Sequence, residues 1–200
     1  MKIKHHKQIV NILYNEWDLG KTASKAKGKT CAWVYWFEIL NEVEEIITEK
    51  ENDTVIGICG FAKKNSKKHI IRKKTYGLLK WLLIHSPMIK NKKAIYKYNA
   101  DYDYIPKELE NHFDGALTIL IVAKQYRGRN LGKKLLYKIF ESAKNNNMKN
   151  IQILCDESSN YHFYEALNCQ KVYEKNIPNS EPDKHGNITN EKGFIYEKKL

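Results

Sequence analysis

One block constrains this chain more than any other. An apolar run rich in β-branched residues, Leu117–Ala123, passes through a short turn, Lys124–Gly128, into a helical stripe. In that stripe Leu131, Leu135, Leu136, Ile139, Phe140 and Ala143 recur at three- and four-residue steps, which puts them on one helical face. Asn145-Asn146-Asn147 ends the helix, and Ile151–Leu154 follows as a short buried strand. A short helix, Tyr161–Leu167, and two terminal strands, Lys171–Lys175 and Phe194–Lys199, complete the half. Strand, helix, strand, helix, strand in this order indicates a mixed α/β domain.

The first half is less regular. Ile9, Ile12, Leu13 and Trp17 give a helix over Lys7–Trp17 with Gly20 as its stop, and the aromatic-rich Cys31–Leu40 gives a second, well-buried helix. Val43–Thr48 and Thr54–Ala62 flank the turn-like Glu51-Asn52-Asp53, an antiparallel hairpin. Ile70, Ile71, Leu78, Leu79, Leu82 and Leu83 suggest a helix that Pro87 ends. Trp33, Trp36 and Trp81 read as core or pocket wall. The polar Asn176–Gly193 stretch, with Pro178 and Pro182, reads as a mobile loop. There is no internal repeat, and 200 residues suit one domain, 1–200, with an enlarged segment at about 63–112.

The strand-to-helix junction is where chemistry is expected. A helix start offers unpaired N–H groups and the positive end of the helix dipole, a ready site for a phosphate oxygen. Gly128 and Gly132 remove side chains where such an anion must approach the backbone, and Arg127, Arg129, Lys133 and Lys134 add cationic charge. From spacing alone, a solvated corner with no ligand accounts for these residues equally well.

At this point the sequence resembles the GNAT superfamily of acyl-CoA-dependent N-acyltransferases. Gln125-x-x-Gly128-x-Asn130 is similar to its Gln/Arg-x-x-Gly-x-Gly/Ala signature, and Asn160-Tyr161-His162-Phe163-Tyr164 resembles its second block in the expected order. Asn130 and Asn168 stand where the family favours glycine, and asparagine is the next residue to tolerate positive φ. The resemblance implies a GNAT fold: a central, mostly antiparallel twisted sheet with a splayed parallel strand pair and flanking helices.

It also implies a site and a reaction. Backbone groups of Leu120, Ile121 and Val122 would hold the pantetheine arm, and amides from Arg127 to Lys133, with Gly128, Arg129, Asn130, Leu131 and Gly132, would cradle the pyrophosphate, beside Gln125. Asn160 would contact the arm, and Tyr164 would donate a proton to the leaving thiolate. Asp114 is a candidate base, with His112 and Asp156 as other nearby titratable groups. The expected reaction is transfer of an acetyl group from acetyl-CoA, or of another acyl group from its acyl-CoA, to a primary amine of a small molecule or peptide by direct attack. No metal is expected. The alternatives are a non-catalytic acyl-CoA-binding protein or a basic nucleic-acid-binding protein on the same scaffold.

Charge bears on partners. Lys and Arg exceed Asp and Glu by 35 to 23, a formal +12, which attracts polyanions. With basic runs spread over Lys21–Lys29, Lys63–Lys74 and Lys90–Lys97 and no recognition motif, a solvated surface is favoured over a nucleic-acid face. The acidic, aromatic Asp101-Tyr102-Asp103-Tyr104 run would suit a cationic amine acceptor. Ala23–Thr30 mimics a phosphate loop but lacks its first glycine and its leading strand. Cys31, Cys59, Cys155 and Cys169 form no Cys-x-x-Cys pair, and Cys59 and Cys155 read as small core residues. The expectation is a cytoplasmic monomer or homodimer with no membrane partner.

Overall fold

The computed structural model describes residues 2–19, 25–89, 92, 104–178 and 189–200. Six strands form one sheet in the order β1-β2-β3-β4-β6-β5. They are β1 (Glu45–Glu51), β2 (Thr54–Lys63), β3 (Gly115–Val122), β4 (Asn150–Asp156), β5 (Gln170–Pro178) and β6 (Asn190–Lys199). Every neighbouring pair is antiparallel except β3 and β4. The helices are α1 (Ile3–Glu16), α2 (Lys25–Glu42), α3 (Ile70–Ile84), α4 (Leu131–Asn145) and the short α5 (His162–Glu165). This is the mixed α/β architecture that the sequence implied.

Alternation along the strands builds a core on each face of the sheet. On one face Leu135, Leu136, Ile139 and Phe140 of α4 pack against Cys59, Phe61, Ile151, Ile153, Phe194 and Tyr196. On the other, Ile9 and Leu13 of α1 and Trp36 of α2 cover Val55, Ile58, Ile119 and Ile121. Beyond them Tyr104 lies over β4 and β6, donating its hydroxyl to the carbonyls of Cys155 (2.9 Å) and Phe194 (3.2 Å). Gly193 is required beneath it, since a Cβ there would stand 2.8 Å from the Tyr104 ring.

Several sequence expectations shift. The α1 helix begins four residues earlier than its apolar pattern, and α2 extends back through Lys25–Thr30, the stretch that mimics a phosphate loop. The expected loop Asn176–Gly193 is partly strand. Ile177 is buried opposite Glu191, and pairing runs to Pro178↔Asn190, so a buried apolar residue outweighs the polar composition around it. Trp36 is core, whereas Trp81 is 52% exposed. Asp101–Asp103 lie outside the described residues, and Tyr104 is buried. Cys59 and Cys155 are buried, free thiols.

Candidate active site

The parallel pair β3–β4 is joined at one rung, Ala116↔Gln152. From there Leu117–Val122 and Ile153–Asp156 run on without pairing each other, so the two strands open into a crevice toward their C-terminal ends. The other edge of β3 is held by β2, with Ile121 opposite Ile58 and Val122 opposite Gly57. Ala123 donates its N–H to Ile56 O at 2.9 Å, which fixes the alternation. The N–H and C=O of Ile121 therefore face β2, and those of Leu120 and Val122 face the crevice. Of the three residues expected to hold the arm, Ile121 is turned away by register. The Val122 carbonyl already accepts the Arg127 Nε–H at 3.1 Å.

At the closed end of the crevice two buried polar atoms, Thr118 Oγ1 and Gln152 Nε2, have no hydrogen-bond partner among the described residues. A buried donor or acceptor left unmade costs about 1–3 kcal/mol, so these atoms mark a place where polar contact is owed.

Beyond β3, a 3-10 turn over Lys124–Tyr126, with exposed Gln125 at its centre, leads to the start of α4. Gly128 has φ +79° with open space where a Cβ would be, and Asn130 adopts the left-handed conformation at φ 57°. Asparagine thus takes the role that its tolerance of positive φ allows. The Arg127 N–H closes the turn onto Lys124 O at 3.2 Å, so the expected run of cradle amides loses its first member. The next six N–H groups, Gly128 to Lys133, have no partner among the described residues; Lys134 N–H is the first to bond back, to Asn130 O at 3.0 Å.

Charge around the cradle is more nearly balanced than the sequence suggests. Glu16, at the end of α1, accepts from the Arg127 guanidinium and from Lys124 N–H (2.9 Å). Arg129 lies 3.3 Å from Glu51 and Lys134 3.2 Å from Glu49. Lys133 alone of the four cations has no acidic partner among the described residues, and its ammonium lies 5.8 Å from the centre of the Tyr137 ring. Backbone amides, more than side-chain charge, are what this turn offers to an anion. Glu16 is the member of the site that sequence reading missed, since nothing local ties it to a turn more than a hundred residues later.

The α5 helix packs beside the cradle: Phe163 Cζ lies 3.6 Å from the Cβ position of Gly132. The Tyr164 phenol is half-buried against the core on the α4 face, with its ring 6.1 Å from that of Tyr196. Burial pushes its pKa well above the ordinary tyrosine value, and the thiols of Cys155 and Cys59 act in the same direction. Asn160, just ahead of α5, is exposed.

Asp114 is placed elsewhere. It precedes β3 at the closed end, where Oδ2 accepts Lys149 N–H at 2.6 Å and its carbonyl accepts Lys64 N–H at 2.7 Å. Eight residues of strand, roughly 26 Å, separate it from the open end. His112 pairs with Glu197 at 3.0 Å. Both groups act in structure at the far end of the sheet. Asp156 instead ends β4 at the open end, on the face opposite α4, where Glu191 of β6 is also buried. Burial, reinforced by Asp156 and Glu157, raises the pKa of Glu191 above the usual carboxylate value.

Similarity to known acetyltransferases falls on this crevice, the amide cradle at its mouth and the phenol beside it. Residues 96–168, which span the cradle and the crevice, match the family model described as "Acetyltransferase (GNAT) family". No curated protein matches the chain in sequence. Among solved structures, an agmatine N-acetyltransferase is similar at 14% identity and TM-score 0.57, over 100% of this chain and 97% of that one. A Drosophila melanogaster polyamine N-acetyltransferase is similar at 15% and 0.55, over 100% and 97%. Arylalkylamine N-acetyltransferase 2 from Aedes aegypti is similar at 18% and 0.54, over 100% and 96%. These likenesses are of fold.

Proposed function

We propose that this chain transfers the acetyl group of acetyl-CoA to the primary amine of a small cationic acceptor by direct attack. The observation that carries the reading is the single β3–β4 rung, which leaves the Leu120 backbone and the Val122 N–H unpaired with β4. The residues fit the co-substrate. Six unpartnered amides and the vacant Cβ position at Gly128 suit a diphosphate, and Asn160 and the free strand edge suit an amide-bearing arm. Acetyl-CoA supplies an activated thioester; everything else is done by the chain. The Leu120 and Val122 N–H groups orient the thioester carbonyl and stabilise the charge that gathers on its oxygen. The amine attacks in its neutral form, its nitrogen bonding to the carbonyl carbon as the carbon–sulfur bond breaks, and the proton that the new amide nitrogen sheds passes to water. Tyr164 then hands its proton to the departing sulfur.

Direct attack is favoured over a cysteine relay. Burial raises the thiol pKa of Cys59, pushes Cys155 up to about 12 and Cys169 to about 11, so none is an activated nucleophile. The acceptor side is acidic. Asp156 and Glu191 sit together on the face opposite the phenol, where a cation offsets the cost of a buried carboxylate. The names of two similar structures, agmatine and polyamine N-acetyltransferases, support the same acceptor class.

The test is thiol release from acetyl-CoA with agmatine, spermidine, an arylalkylamine and a basic peptide, alongside calorimetry of coenzyme binding. Turnover with the small cations is expected to exceed that with the others. Gly128→Glu, which places a carboxylate in the cradle, is expected to abolish coenzyme binding. Binding without turnover of any amine would return the chain to the non-catalytic alternative.

A further inference from the structure

The α3 helix packs inside out. Its charged side faces the protein: Lys80 pairs with Glu38, Lys73 lies 3.4 Å from Glu44, and Arg72 donates to Val43 O at 3.1 Å. Its apolar side faces outward. Ile71 is 80% exposed, Leu78 58% and Leu82 50%, in one row, with Ile70 and Trp81 beside them. Scattered exposed apolar residues need no explanation, but a contiguous row with an indole marks a contact surface.

The charge of the chain lies on the same segment. Residues 63–97 hold twelve of the thirty-five Lys and Arg residues and none of the twenty-three Asp and Glu residues. The +12 excess is therefore the charge of this stretch, and the rest of the chain is formally neutral. A surface hollow of about 400 Å³, lined by Lys63, Lys64, Lys67 and Lys68 among others, lies next to the start of α3.

We propose that α3 is an interfacial helix that seats this protein on a bilayer surface rich in anionic phospholipid. Apolar side chains with an indole at one surface, flanked by lysines, are the two signals that hold a helix in the plane of an anionic membrane. The lysine-lined hollow offers a phosphate head group a counter-charge. A second copy of the chain fits less well, because it would bring two such basic segments together. Nucleic acid leaves the apolar row without a partner. No helix among the described residues is long and apolar enough to cross a membrane, so the contact is peripheral. This proposal runs counter to the expectation of a chain with no membrane partner and of basic residues as a dispersed, solvated surface.

The experiment mixes the full chain with vesicles of phosphatidylcholine alone, or of phosphatidylcholine with phosphatidylglycerol, and reads co-sedimentation and tryptophan emission. Roughly tenfold more protein is expected on the anionic vesicles, with a blue shift that Trp81→Phe removes and that salt weakens. The double variant Leu78→Ser, Leu82→Ser is expected to lose roughly tenfold in binding while keeping its circular dichroism and any thiol release. Equal recovery on both vesicle types, or none, overturns the proposal. So does a concentration-dependent dimer that the double variant abolishes, or salt-sensitive binding to duplex DNA that the double variant retains.

Discussion

The role proposed for Tyr164 comes from its surroundings. A phenol in water has a pKa of about 10, and burial raises that of Tyr164 further, so it keeps its proton throughout neutral pH. A general acid must hold a proton until the leaving group needs it, and this site meets that requirement. Tyr164→Phe is expected to lower kcat by roughly 100-fold or more while leaving coenzyme affinity unchanged. Steady-state kinetics with calorimetry check this, and unchanged kcat would remove the phenol from the mechanism. The cradle was legible at this scale, because a Gly and an Asn near a helix start report positive φ through their own chemistry. Asp114 misled, since proximity in sequence to a strand does not say at which end of the crevice a carboxylate lies.

At the scale of elements, the cradle turn is held by a helix far from it in sequence. Glu16 closes α1 and accepts from both Lys124 N–H and Arg127, fixing the turn that presents the amides. Glu16→Gln keeps an acceptor for the amide but loses the charged pair to Arg127. The expected result is a several-fold rise in KM for acetyl-CoA with kcat little changed, since the turn loosens and the chemistry does not. A fall in kcat at constant KM would show that Glu16 acts on the reaction itself. The strand and helix of the signature were readable because each has a clean period against a clean turn. The β5–β6 extension was not, because Ile177 is one apolar residue among polar ones and only its buried register with Glu191 shows it to be strand. The row on α3 was readable as a helix but not as an outward one. Periodicity says which residues share a face and is silent on which face the protein covers.

Across the whole molecule, the proposed reaction uses both faces of the sheet. Tyr164 and the cradle belong to the α4 face and Asp156 and Glu191 to the other, so on that proposal the amine and the thioester would meet through the gap where β3 and β4 part. Confining negative charge to one face has a cost that can be measured. The Glu191 pKa is raised in the fold by burial first, then by Asp156 and Glu157. A carboxylate with a raised folded pKa contributes stability below its unfolded pKa and loses it as pH rises through the folded value. At neutral pH the ionised group therefore works against the fold, and Glu191→Gln is expected to raise Tm there. The gain should shrink as pH falls into the ordinary carboxylate range, where the wild-type group is itself protonated. The same substitution should raise KM for a cationic amine more than for a neutral one. A rise in both Tm and KM would show a carboxylate kept for binding at the expense of stability. If neither moves at neutral pH, Glu191 is solvated and the acceptor is held by other groups.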